Sequence, residues 1–126
     1  MERLPIRIQR LEGLAIAAAA AVIFVHQGFA WWWLLVLFLA FDLSMIGYAH
    51  STRAGALCYN LGHTYVGPLL LIGAAAVTTL QWAWFVALAW AFHVGTDRAL
   101  GYGLKLPDGF THTHLGEIGP AGRAAP

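Results

Sequence analysis

The sequence predicts an all-α integral membrane protein, a four-helix bundle with both ends on the cytoplasmic side, and three observations carry that prediction. Hydrophobic residues make up 60% of the 126 residues and charged residues only 10%, whereas a water-soluble domain carries about 25% charged residues. From Ala54 to Thr96 there is no Asp, Glu, Lys or Arg, so water cannot be the solvent of most of that surface. When four spans are drawn, every Lys and Arg falls on one side of the membrane.

The spans follow from apolar windows of about 20 residues separated by turn signals. The first runs from about Leu11 to His26, rich in alanine, and ends at His26-Gln27-Gly28. Trp31-Trp32-Trp33 anchor the second at an interface, and it continues to about Ala49. His50 to Gly55 form a polar turn in which Ser51 or Thr52 can cap the next helix. The third span covers about 56–77, with a kink expected at Gly67-Pro68. Thr78 to Gln81 turn the chain into the fourth, about 82–104, which Pro107-Asp108-Gly109 end. A polar tail covers 105–126, and the whole chain, 1–126, reads as a single membrane domain.

Cytoplasmic flanks carry the excess of basic residues. Arg3, Arg7 and Arg10 precede the first span, Arg53 lies between the second and third, and Arg98, Lys105 and Arg123 lie at or beyond the end of the fourth. The turns near Gln27 and Thr79 carry none. This gives an N-in, C-in membrane protein. A basic start, an apolar run and Gly28-Phe29-Ala30 also fit a cleavable leader, with retention of the segment as the expectation. A net charge of +1 gives no basic excess for nucleic acid, and a single cysteine, Cys58, excludes an internal disulfide. Membrane lipids are the expected partners, with a homo-oligomer packing through small-residue faces such as Gly73-Ala74-Ala75-Ala76.

Ionisable side chains inside a span cost about 2.5–3.5 kcal/mol each on insertion scales, so each calls for a partner or a function. Asp42 falls within the second span, His63 within the third, and His93 and Asp97 within the fourth. Counted from the cytoplasmic turns, Asp42, His63 and Asp97 all lie about seven to eight residues in, roughly 10–12 Å deep. His93 stacks one turn deeper on the face of Asp97. Two imidazoles and two carboxylates form a ligand set for Zn, Mn or Fe, and bundle cores are built around such groups. A divalent cation would neutralise Asp42 and Asp97 where charge is expensive, and would acidify a bound water.

The blander account is structural: His63 hydrogen-bonds Asp42 between helices, and Asp97 pairs with Lys105 or with Arg98 of a second copy. His26 and His50 read as interface residues, Trp31 to Trp33, Trp82 and Trp84 as an aromatic belt, and Cys58 as a small hydrophobe. In the tail, His112 and His114 stand two residues apart, so they face one side only in an extended segment. His114 either closes the site as a further metal ligand or belongs to a solvated end.

The runs Arg10-Leu11-Glu12-Gly13-Leu14, Asp42 to Tyr48, Tyr59 to Tyr65, Asp97 to Lys105 and Thr113-His114-Leu115-Gly116 resemble, over nearly the whole chain, the bacterial membrane family catalogued as domain of unknown function 4260. That resemblance implies a small four-helix membrane protein without an assigned activity, with Glu12, Asp42, Asn60, His63, His93, Asp97 and His114 among its recurring positions. The chain departs from the pattern at His112, where an acidic residue is usual. It is more faintly similar to the membrane-bound metal-dependent hydrolases of the YdjM type, whose fuller His-Arg and Thr-His-Ser signature it lacks.

The expected function is thus a metal-dependent hydrolase at the inner leaflet acting on a lipid or other amphiphile. Asp42, His63, His93, Asp97 and His114 are the candidate metal ligands, Glu12 a base or a support behind the ligands, Asn60, Thr64 and Tyr102 orienting groups, and Arg98 and Lys105 the attraction for an anionic headgroup. The alternatives are a non-enzymatic haem binder with His63 and His93 as axial ligands, and a proton-conducting or structural subunit.

Overall fold

A computed structural model describes residues 3–107 and 111–117. The chain is helical: α1 Arg3–His26, α2 Trp33–Phe41, a 3₁₀ segment Asp42–Ala49, α3 Thr52–Gly62, α4 Val66–Ala76 and α5 Gln81–Leu100. Two short strands follow, β1 His112–Thr113 and β2 Gly116–Glu117, paired antiparallel. This hairpin is an addition to the all-helical expectation, in which the tail carried no structure. Asp108, Gly109 and Arg123 lie outside the described residues.

The last helix, α5, is the hub of the structure. It packs against α1, α4 and α2, while the 3₁₀ segment packs against α3. The crossing of α1 and α5 is close because both helices lack a side chain where they meet. A Cβ on Gly13 would stand 2.7 Å from the Gly95 carbonyl oxygen, and one on Gly95 would stand 2.6 Å from that of Gly13. Small residues at such a crossing let backbones approach and gain dispersion contacts along their length.

The expected third span is two helices, and the break comes at His63-Thr64-Tyr65, earlier than the expected kink at Gly67-Pro68. Pro68 is nevertheless its cause, because it has no N–H to give to the carbonyl four residues back, at Thr64. It sits instead in the first turn of α4, where a donor is not needed. The break releases carbonyls, and α5 supplies their partners. Trp90 Nε1 donates to the Gly62 oxygen at 2.6 Å and Arg98 Nη2 to the His63 oxygen at 2.6 Å.

The expected fourth span stops at Leu100 rather than Leu104. Gly101 adopts φ +95°, a left-handed conformation that glycine takes without strain. Its N–H bonds the Arg98 oxygen at 3.0 Å, and the Tyr102 N–H bonds the Asp97 oxygen at 2.8 Å. This double closure terminates a helix. At the start of α3, Ser51 is the cap, its Oγ accepting from the Ala54 N–H at 3.0 Å, one of the two residues expected there.

Large apolar side chains are exposed on the outside, while a group of polar side chains is buried inside. Leu39, Ile46, Leu70 and Val77 are each more than two-thirds exposed, while His63 and His93 are fully buried and Asp97 and Arg98 nearly so. At the end away from these groups, Phe24, Leu34, Leu88 and Ala89 form a core joined by Phe29 and Phe85. Among the described residues, α1 is the one helix long and apolar enough by itself to cross a membrane. The other expected spans are divided by the 3₁₀ segment and the α3–α4 break, and α5 is made less apolar by the groups it buries.

Candidate metal centre

Four side chains converge at the C-terminal half of α5. Asp42 opens the 3₁₀ segment, His63 closes α3, and His93 and Asp97 lie one turn apart on α5. One ligand atom from each falls within 4.8 Å of all the others. The His63 Nε2 atom is 3.4 Å from Asp42 Oδ1 and 3.2 Å from Asp97 Oδ2, and His93 Nε2 is 3.3 Å from each of the same oxygens. The two Nε2 atoms are 2.8 Å apart. Atoms bound tetrahedrally to zinc at roughly 2.0–2.1 Å stand about 3.3 Å from one another, close to the four nitrogen–oxygen separations.

The proton inventory points the same way. The Nδ1 atom of His63 lies 2.9 Å from the Tyr59 carbonyl oxygen, which can only accept, so Nδ1–H donates to it and Nε2 is the atom turned toward the carboxylates. A backbone carbonyl on the remote ring nitrogen is the usual device for orienting a metal-bound histidine. His93 Nδ1 is buried without a hydrogen-bond partner, leaving Nε2 as its working atom. Two imidazole Nε2 atoms and two carboxylates thus face one small volume, an arrangement that a cation would satisfy. The four residues could hold a metal ion.

Aromatic rings hold the imidazoles in place. Tyr59 stacks on His63 with centroids 3.7 Å apart and planes 9° from parallel, and Phe38 lies 4.2 Å from His93. Asp42 is the open side of the quartet, its side chain 32% exposed. It borders a cavity of about 270 Å³ that Phe38, Met45, Tyr59, Tyr102 and Lys105 also line.

Lys105 reaches this cavity because Asn60 grips its backbone twice. The Asn60 Nδ2 donates to the Lys105 oxygen at 2.8 Å, and the Lys105 N–H donates to Asn60 Oδ1 at 2.7 Å. Lys105 also forms a β-bridge with Thr113, and its ammonium lies 4.6 Å from the Tyr59 ring centroid. Burial pushes its pKa below the usual lysine value, against the pull of Asp97 and Asp42.

The other candidates are elsewhere. Glu12, Thr64, Arg98 and His114 line a second cavity of about 580 Å³, together with Gln9 and Tyr65. His114 is not among the converging four: its Nδ1 accepts from the Leu104 N–H at 2.8 Å. Burial holds the His114 pKa below the usual histidine value, with the charge of Arg98 adding to the effect. Arg98 is turned from the quartet, its guanidinium bonded to the carbonyls of His63 and Tyr102. Tyr102 lines the metal cavity, while the side chain of His112 lies outside the described residues. The haem alternative fails on geometry, since axial nitrogens about 2 Å from an iron on opposite sides stand about 4 Å apart, against 2.8 Å here.

What sequence reasoning missed is the aromatic clamp of Tyr59 and Phe38 and the grip of Asn60 on Lys105. The i, i+4 spacing of Tyr59 and His63 was the available signal for the first.

No curated protein and no solved structure matches the chain. The family model described as domain of unknown function 4260 matches residues 6–118. With nearly its whole length matched, Glu12 and His114 included, the chain belongs to the domain of unknown function 4260 family.

Proposed function

We propose that the protein is a four-span protein of the bacterial inner membrane, with both ends cytoplasmic, that binds a divalent transition metal and hydrolyses a lipid or other amphiphilic substrate. The observation that carries this reading is the convergence of Asp42, His63, His93 and Asp97 within 4.8 Å. The membrane placement draws support from the exposed apolar exterior, from α1, and from the stretch of 54–96 without formal charge. It also makes the break at His63 intelligible, because irregular backbone is tolerated in lipid only where its polar groups find partners inside the protein.

A metal bound here would act as a Lewis acid and lower the pKa of water. The chain's own residues would do the rest. Tyr59 and Phe38 fix the imidazole planes, the Tyr59 carbonyl fixes the His63 tautomer, and the exposed flank of Asp42 leaves the side by which substrate reaches the centre. Tyr102 borders that side with a hydroxyl able to donate to a reacting oxygen. Glu12, across α5 in the second cavity, is not placed for this role.

A second reading draws on the same contacts. Without a metal they are histidine–carboxylate pairs that pin the 3₁₀ segment to α3 and α5, as in a structural or proton-conducting subunit. Elemental analysis of protein purified in neutral detergent separates the two. Near-stoichiometric zinc, manganese or iron, lost in both His63→Ala and His93→Ala, is the expected result; metal-free wild-type protein refutes the enzyme reading and leaves the second.

A further inference from the structure

Two basic side chains stand near the metal centre at the end of α5, and the structure assigns them to different cavities. Arg98 spends its guanidinium on the carbonyls of His63 and Tyr102 and borders the larger cavity. Lys105 borders the smaller one, with Asp42 and Asp97. Its position is fixed at the backbone by Asn60 and at the side chain by the Tyr59 ring.

A divalent ion held here would cancel the charge of Asp42 and Asp97, the two carboxylates that line this cavity. The ammonium then adds a positive field to a pocket whose remaining walls include Phe38, Met45 and Leu100. In such a medium a charge is worth more than in water. An ammonium has three donors, so it can bind an oxyanion while keeping other bonds. A neutral ester offers no charge to this arrangement, whereas a tetrahedral oxyanion could place one oxygen at the ion and another at the ammonium.

Building on the metal-site reading, we infer that this cavity takes the phosphate group of an amphiphile, with Lys105 as the residue that selects the oxyanion and the Phe38, Met45 and Leu100 walls receiving the adjoining chain. The shared chemistry is phosphate, and the apolar walls favour a lipid-like carrier over the free ion.

Cobalt-substituted protein in neutral detergent tests this, with cobalt content measured first. Dodecyl phosphate should shift the visible cobalt spectrum and bind at least about tenfold tighter than inorganic phosphate, as burial of a few methylenes predicts. Lys105→Met should weaken dodecyl phosphate by about 10- to 100-fold at unchanged cobalt content, and Lys105→Arg should retain most of the binding. Cobalt bound but a spectrum indifferent to dodecyl phosphate overturns the inference while the metal site stands. Equal binding by Lys105→Met overturns it too. Equal affinity for the free ion and the amphiphile makes soluble phosphate the ligand and overturns the assignment of the apolar walls. Protein that takes up no cobalt removes the metal reading itself and this inference with it.

Discussion

The Nε2 atoms of His63 and His93 lie 2.8 Å apart in a fully buried setting, each also 3.2–3.4 Å from the same two carboxylate oxygens. Such crowding of acceptors holds together only around a positive charge, a shared proton or a metal ion. A ligand that binds only the folded state stabilises it by mass action. Zinc at 100 times its dissociation constant should therefore raise wild-type stability by about 2.7 kcal/mol. The same addition should leave His93→Ala unmoved, as read by thermal or denaturant unfolding in detergent.

Asn60 makes its two bonds to the backbone of Lys105, across 45 residues of chain. Asn60→Leu leaves a buried N–H and C=O without those partners and should cost about 1–3 kcal/mol. Asn60→Asp keeps the acceptor for the Lys105 N–H, loses the donor and should cost less. Hydrogen exchange at the Lys105 amide checks the local effect, and an unfolding midpoint checks the global one.

The crossing of α1 and α5 tolerates no added bulk. Gly95→Val places its Cβ 2.6 Å from the Gly13 oxygen and 2.8 Å from the Ala17 nitrogen, so the helices must part, at a cost of about 1–3 kcal/mol or more. Gly73→Ala is the control. Its Cβ would meet nothing within 4 Å, and helix propensity should make it neutral or stabilising by up to about 1 kcal/mol. Unfolding midpoints of the two variants should diverge accordingly.

His114 makes the tail sensitive to acid. Its Nδ1 accepts the Leu104 N–H and must be unprotonated to do so, and burial holds its pKa below the ordinary 6.5. The unfolded tail therefore binds the proton first. The stabilising contribution is complete above about pH 6.5 and declines as pH falls toward the lower folded value. Proteolysis or exchange at Leu104 should rise on acidification in the wild type, and His114→Ala should show the open behaviour at every pH.

The site was legible in the sequence because depth along a helix is countable. Asp42, His63 and Asp97 fall at one level under a fixed rise per residue, and His93 follows from i, i+4 stacking. The structure brings these four to one point. Helix ends were less legible because they depend on distant partners. The Gly101 stop was present as a local signal, a glycine after Leu100, yet the apolar run to Leu104 outweighed it. The break at His63 needs Pro68 to be read against the carbonyl of Thr64. It also needs Trp90 and Arg98 to be known as the donors that make the break tolerable, and no local pattern supplies them. Arg98 and Lys105 were indistinguishable as charges, since only the turn at Gly101 and the hold of Asn60 send them into different cavities.

The dependence of the Gly62 and His63 carbonyls on Trp90 and Arg98 also bears on biogenesis. In the proposed membrane setting, α3 and α4 are synthesised before α5, and until it arrives two bare oxygens would have to rest in hydrocarbon. The middle of the protein is thus unable to settle alone. Its completion waits on the last helix, so a chain truncated before residue 90 should be a substrate for membrane quality control rather than a stable fragment.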